Sequence, residues 1–170
     1  ELKNDLIKNY QINFNGTSDT EILLNLIEIY GIEKSLEKIK GMFAFCFFDK
    51  SKEKIFFARD RLGEKPLYYG YNNGTFYFTS ELKSLFGNKN FKPTISKKSF
   101  NFLSTLNYIP SPFTIFNNIY KLNQGHFFSI DLKIKNKQEI NQIEYWSNKS
   151  EKINDFTFEK SKKKLKDKLF

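Results

Sequence analysis

The sequence predicts a mixed α+β fold built on antiparallel hairpins, and three observations carry that reading. Met42 to Phe48 is an almost unbroken apolar, aromatic run ending in Asp49. It is too short to span a membrane and suits a central strand buried on both faces. A polar stretch over residues 49–54 then turns the chain into a second apolar run, Ile55 to Ala58, so the pair reads as a hairpin. Leu67 to Tyr71 and Thr75 to Thr79 repeat the pattern around Asn72-Asn73-Gly74, where Asn and Gly tolerate the positive φ of a tight turn. Helical signals on both sides of these hairpins supply the α component.

The chain has 170 residues, enough for one domain with a substantial core. Its 20 Phe and 9 Tyr supply material for that core. No run approaches the length of a membrane helix and no cleavable signal is visible, so no membrane partner is expected. One cysteine, Cys46, allows no internal disulfide, which fits a reducing cytosol. The formal charge is +9 and invites a nucleic-acid reading. The charge is almost all dispersed lysine, however, and a solvated lysine-rich surface with no nucleic-acid partner is favoured.

Taken in order, residues 1–8 place apolar side chains on one face of a short helix. Ser18-Asp19-Thr20-Glu21 is a capping box: Ser18 caps a helix and Glu21 is expected to reach back to the cap amide. Ile22, Leu23, Leu26, Ile27 and Tyr30 fall on one face of that helix, and Gly31 closes it. A second short helix, Ile32 to Ile39, leads to Gly41 and the hairpins. Ser80-Glu81 is expected to cap a short helix ending near Phe86-Gly87. Ser96 opens another, with Phe100, Leu103 and Leu106 on its apolar face. Pro110 and Pro112 enforce an extended loop. His126 to Leu132 reads as a strand, and Asp155 to Leu169 as a lysine-rich amphipathic helix.

The loop between the hairpins, Arg59-Asp60-Arg61-Leu62-Gly63-Glu64-Lys65-Pro66, holds the only two arginines of the chain. A guanidinium offers a planar fork of donors that lysine lacks, so geometry as well as charge is needed here. Two roles remain open for Arg59, Asp60 and Arg61: a structural tie between strands, or direct substrate contact. Three other positions read as bland. Asn15-Gly16 is a turn. Cys46, inside a phenylalanine run with no base nearby, is expected to be a small buried core residue. His126 stands alone, so neither a metal site nor a Ser-His-Asp triad is supported.

The strings GMFAFCFFD (41–49), ARDRLGEKPLYY (58–69) and FTSELKSL (78–85) resemble the amino-terminal glutaminase half of the glutamine-hydrolysing asparagine synthetase family. The likeness extends to the segments 17–21, 108–112, 114–116 and 121–122, to Gly125-His126, and to Tyr145-Trp146. It implies the four-layer αββα sandwich of amino-terminal nucleophile hydrolases, incomplete at its N-terminus. It implies a glutamine amidotransferase domain over 1–150 and the start of a synthetase domain over 151–170. Asp19, in the matching SDTE motif, is implied to bind the α-amino group of glutamine. A first-turn carboxylate is also favourable against the helix dipole on its own account. Arg59, Asp60, Arg61, Gly63, Lys65, Pro66, Ser80 and Glu81 form the structural or interdomain motif.

In that family the nucleophilic cysteine, the glutamine-clamping arginine segment and the oxyanion Asn-Gly pair belong before residue 1, so no catalytic residue is assigned here. ATP and Mg²⁺ belong to the synthetase half, leaving this chain without a cofactor. The implied parent reaction is ATP-dependent amidation of aspartate with ammonia from glutamine, in the cytoplasm, with a homodimer open. Three other readings stand beside it. They are a relative without a working nucleophile (β-lactam-synthetase-like), a relative amidating a sugar or peptide, and a non-enzymatic basic binding module.

Overall fold

The computed structural model describes residues 1–148 and 157–169. Among the described residues, four α-helices and seven strands follow one another. They are α1 (Leu2–Tyr10), α2 (Asp19–Lys38), β1 (Ala44–Asp49), β2 (Lys54–Arg59), β3 (Tyr68–Asn72), β4 (Thr75–Thr79), α3 (Lys97–Leu106), β5 (Ile119–Lys121), β6 (His126–Asp131), β7 (Ile143–Glu144) and α4 (Phe158–Leu169). A 3₁₀ helix, Leu82–Gly87, follows β4. The strands form two antiparallel sheets, one of order β1-β2-β6-β7 and one of order β4-β3-β5.

The period-two alternation of each strand gives the sheets two apolar faces. Phe57, Phe128 and Ile130 of the first sheet meet Tyr69 of the second, with Leu67 and Leu122 alongside. Phe57 stacks on Phe128 at 4.8 Å between ring centroids, and Tyr69 lies 4.6 Å from Phe128. Pairs at this separation add to the area term of burial. The outer face of the first sheet, Ala58 and Phe127, packs under Leu36 of α2. The outer face of the second, Tyr77 and Ile119, packs under Leu85 and Phe91. The helix α2, the two sheets and the 3₁₀ helix Leu82–Gly87 are thus stacked in that order, in keeping with an αββα sandwich.

Local chemistry explains the punctuation. Asn73 (φ 49°) and Gly74 (φ 76°) form the two-residue turn between β3 and β4, both with positive φ. Gly31 (φ 76°) breaks α2 as expected, and a further helical stretch continues to Lys38. Ser18 accepts from the Thr20 amide at 3.2 Å and starts α2. Glu21 reaches past the cap: its two oxygens accept from the Asn15 and Gly16 amides at 2.8 and 2.9 Å. That carboxylate fixes the Asn15-Gly16 bend.

Beyond the Glu21 contact, further expectations need correction. Among the described residues β1 lies at the edge of its sheet, paired on one side with β2. An aromatic run specifies two packed faces and leaves the number of paired edges open. Cys46 is exposed rather than buried in the core. It lies on the face that Ala44 turns towards the second sheet, where Phe48 is also 51% exposed. Neighbouring atoms still desolvate the thiol enough to raise its pKa. In α3, Phe100, Leu103 and Leu106 face outward. The helix is anchored instead through buried Ser99 and through Phe102, 5.7 Å from Phe113. Finally, Ser80-Glu81 makes no side-chain cap. Thr79 Oγ1 accepts from the Glu81 amide at 3.1 Å and lies 2.7 Å from Ser84 Oγ, so a hydroxyl one residue earlier holds the turn.

The predicted start of the last helix, Asp155, lies outside the described residues; α4 runs from Phe158 with Leu165 and Leu169 exposed. Among the described residues no helix is long and apolar enough to cross a membrane.

Candidate functional site

Two carboxylates, both in charged sequence neighbourhoods, occupy opposite environments. Asp60 follows the last residue of β2 and is 1% exposed. Its Oδ1 accepts from the Leu62 and Glu64 amides at 3.1 and 3.0 Å, and its Oδ2 from the Lys65 and Phe43 amides at 2.9 and 3.3 Å. Burial alone would raise its pKa, but the amide donors outweigh that and hold the carboxyl below its usual range.

Arg59 is the complement. Nε donates to Lys65 O at 2.7 Å, Nη1 to Leu122 O at 2.7 Å and Nη2 to Gly63 O at 2.5 Å. Amides bind the aspartate and carbonyls bind the arginine, so the polar ends of one loop are satisfied from both sides. Gly63 (φ +70°) lies under the fork; a Cβ there would stand 3.1 Å from the guanidinium carbon. No ion pair joins Asp60 to either arginine among the described residues, so the tie runs through backbone. Arg61 donates from Nη2 to Glu37 O at 2.8 Å and lies 5.8 Å over the Trp146 ring. The side chains of Leu62, Glu64, Lys65 and Pro66 point outward and are exposed. Ser80 and Glu81 are exposed too, with Glu81 paired to Lys83 at 3.0 Å.

The same loop fixes the C-terminal end of the sandwich. The Gly125 amide donates to Asp60 O at 2.9 Å, and Gly125 O accepts from the Tyr145 and Trp146 amides at 2.9 and 3.2 Å. A Cβ on Gly125 would lie 2.2 Å from Trp146 O, so only glycine permits this approach. Tyr145 Oη donates to Arg59 O at 2.8 Å, and burial together with the Asp60 charge pushes its pKa well up.

Asp19 is the opposite case. It is the first residue of α2, exposed, with no hydrogen bond or ion pair among the described residues. It lines an open cleft of about 720 Å³ between α1, α2 and the approach to β1. Opposite charges share this cleft: Asp5 beside Asp19, and Lys3, Lys38 and Lys40. Leu2, Leu23, Ile39 and Phe43 give it an apolar floor. Lys3 donates to Gly16 O at 3.1 Å and Asp5 accepts from Asn9, which leaves Asp19 as the carboxylate without a partner among those two. A helix N-terminus, groups of both charges and an apolar wall suit a small molecule carrying both charges and an aliphatic stem. The sequence pointed to Asp19 but not to Lys38, Lys40 or Phe43, which reach the cleft only through the path of α2 into β1.

Cys46 and His126 contribute nothing to this cleft. The ring Nδ1 of His126 sits 2.7 Å from Gln124 O, where it fixes the turn before β6. Among the described residues no group of three His, Cys, Asp or Glu side chains is placed to hold a metal ion.

The glutamine amidotransferase domain family matches residues 1–146. The chain belongs to that family. As a glutamine amidotransferase domain it resembles several curated asparagine synthetases of the glutamine-hydrolysing type. A putative one from Methanocaldococcus jannaschii is 38% identical over 144 residues, covering 84% of this chain and 27% of the relative. One from Bacillus subtilis is 37% identical over 131 residues, covering 76% and 20%. A probable one from Acanthamoeba polyphaga mimivirus is 31% identical over 147 residues, covering 80% and 26%.

This amidotransferase domain therefore spans about a quarter of the length of the relatives it matches. Among solved structures, the B. subtilis glutamine phosphoribosylpyrophosphate amidotransferase superposes with a TM-score of 0.57 at 19% identity, covering 86% of this chain and 26% of that one. A structure described as the allosteric regulatory enzyme of purine biosynthesis gives 0.58 at 20%, with the same coverage. These two establish the amino-terminal nucleophile hydrolase fold, the αββα sandwich described above.

Proposed function

We propose that this domain binds glutamine in the Asp19 cleft and belongs to a glutamine-dependent asparagine synthetase. In that reading the parent polypeptide releases ammonia from glutamine and uses ATP to amidate aspartate in the cytosol. The observation that carries the cleft assignment is Asp19 itself, an exposed carboxylate at a helix start with no internal partner. A structural aspartate in this chain looks like Asp60, saturated by amides. A carboxylate left free in a cleft is available for an ammonium, and the α-amino group of glutamine supplies one. The curated relatives support the choice of aspartate as acceptor, because most of those most similar to this chain are named for asparagine synthesis.

In this arrangement Asp19 holds the amino group while the apolar floor of Phe43 and Ile39 receives the aliphatic stem. Hydrolysis itself, with its oxyanion held by pre-aligned donors, uses residues beyond this chain. ATP and Mg²⁺ belong to the synthetase unit in the same reading. The test uses the full reading frame that contains these residues, supplied with aspartate, ATP and glutamine labelled with ¹⁵N in its amide. The expected product is asparagine labelled in its amide. Labelled ammonia without labelled asparagine would keep the glutaminase reading and discard the acceptor. Absence of both would discard the glutamine reading.

A further inference from the structure

We propose that Arg61, together with Asp60 before it, is a positioning residue for the glutamine cleft: the pair holds both ends of the cleft wall 38–43. The inference rests on the glutamine reading above and adds what keeps that cleft in shape. Lys38, Ile39, Lys40 and Phe43 line the cleft with Asp19, on the stretch of chain that leaves α2 and enters β1. The middle of this wall has little to fix its own path. Lys40, Gly41 and Met42 are exposed and make no hydrogen bond among the described residues. Gly41 turns at φ 121°, with open space where a Cβ would stand.

The ends of the wall are fixed by two consecutive residues after β2. Arg61 Nη2 donates to Glu37 O at 2.8 Å, one residue before the wall begins. Asp60 takes the other end twice: its amide donates to Phe43 O at 2.8 Å, and its Oδ2 accepts from the Phe43 amide at 3.3 Å. Ile39 and Phe43 also pack on the cluster of Leu36, Ala58 and Phe127. The wall is thus seated at both ends and spans freely between them. Arg61 is placed for position more than for stability. It is half-buried, its Nε is buried without a hydrogen-bond partner among the described residues, and an unpaired buried donor is destabilising. Glu37 is exposed, so water could serve its carbonyl equally well. What the bond adds is a fixed place for the end of α2 against the loop. A wall held in place beforehand need not be ordered by the ligand, which is the advantage of preorganisation.

The test uses the full reading frame and two variants that act on the wall from different sides. Arg61→Met keeps the stem and removes the donors. Gly41→Ala leaves the loop intact and strains the wall, because its positive φ disfavours a residue with a Cβ. Both are expected to raise KM for glutamine about three- to tenfold, the scale of one hydrogen bond, with kcat at saturating glutamine within about twofold of wild type. Turnover driven by an ammonium salt should stay as in wild type. Trypsin supplies a readout that needs no substrate. Cleavage after Lys40 should quicken about fivefold in Arg61→Met, while cleavage after Lys50, in the β1–β2 turn, is unchanged. An unchanged glutamine KM in either variant overturns the proposal, as does equal cleavage after Lys40 in Arg61→Met and wild type. Faster cleavage at Lys40 and Lys50 alike, or equal losses with glutamine and ammonium, means general loosening and overturns it as well. A wild type that takes no nitrogen from glutamine discards the cleft assignment and this role with it; that failure is read on wild type, the others on the variants.

Discussion

Asp60 and Asp19 separate two uses of one side chain. Asp60 is buried, its two oxygens occupied by four backbone amides, and its pKa is held down by them. Asp19 is exposed at a helix start, faces a cleft and has no partner among the described residues. The contrast teaches that a charged residue is assigned by what satisfies it. Where backbone saturates the carboxylate, the charge serves the fold; where nothing does, it is available to a ligand. Mutations at the two positions should therefore act on different observables.

The largest effect on stability is expected at Asp60. Asp60→Ala leaves several buried amides without an acceptor, at a cost of at least about 3 kcal/mol. Chemical denaturation should show a lower midpoint with an unchanged slope. A midpoint equal to wild type would remove the distinction between the two carboxylates.

Arg59→Lys comes next. A point charge can satisfy one of the three carbonyls that the fork reaches, so the expected loss is about 1.5–3 kcal/mol by the same denaturation curve. Unchanged unfolding would count against the structural role of the fork.

The pH dependence sharpens the comparison further. The folded pKa of Asp60 lies below its unfolded value. Its contribution is therefore complete above about pH 4 and is lost as pH falls through the folded pKa. Melting temperatures of wild type and Asp60→Asn should differ most near neutrality and converge as acid is added. Asp49, with a pKa of about 2 set by donors from Ser51 and Lys52, also weakens in acid but is common to both proteins and cancels. Curves that stay parallel down to pH 3 would contradict the linkage.

Much of the fold was legible because local chemistry decided it. Gly31 and Asn73-Gly74 place breaks where positive φ is required, and the alternating aromatic runs mark their strands. What was illegible depends on neighbours. The run 42–48 says that two faces are apolar, but pairing at its second edge depends on other strands, so Cys46 and Phe48 were misplaced. The apolar stripe of α3 was visible, yet the helix docks through Ser99 and Phe102, a choice made by Phe113. The motif drew attention to Asp19, which lines the cleft, and rarity drew it to the arginines, which tie the loop. The cleft lysines and the Arg61–Trp146 contact were not found, because tertiary structure alone brings residues so far apart in sequence together.

The smallest stability effect is expected at Asp19, and there the account is tested most directly. In the full reading frame, Asp19→Asn should change stability by less than about 0.5 kcal/mol, as an exposed substitution does. The decisive measurement is paired kinetics of that variant and wild type, with glutamine and with an ammonium salt as nitrogen source. The account predicts a loss of about ten- to a hundredfold in kcat/KM for glutamine, the scale of one charge-assisted contact, with ammonia-driven synthesis unchanged. Equal losses on both nitrogen sources would contradict it and leave Asp19 a helix-start residue.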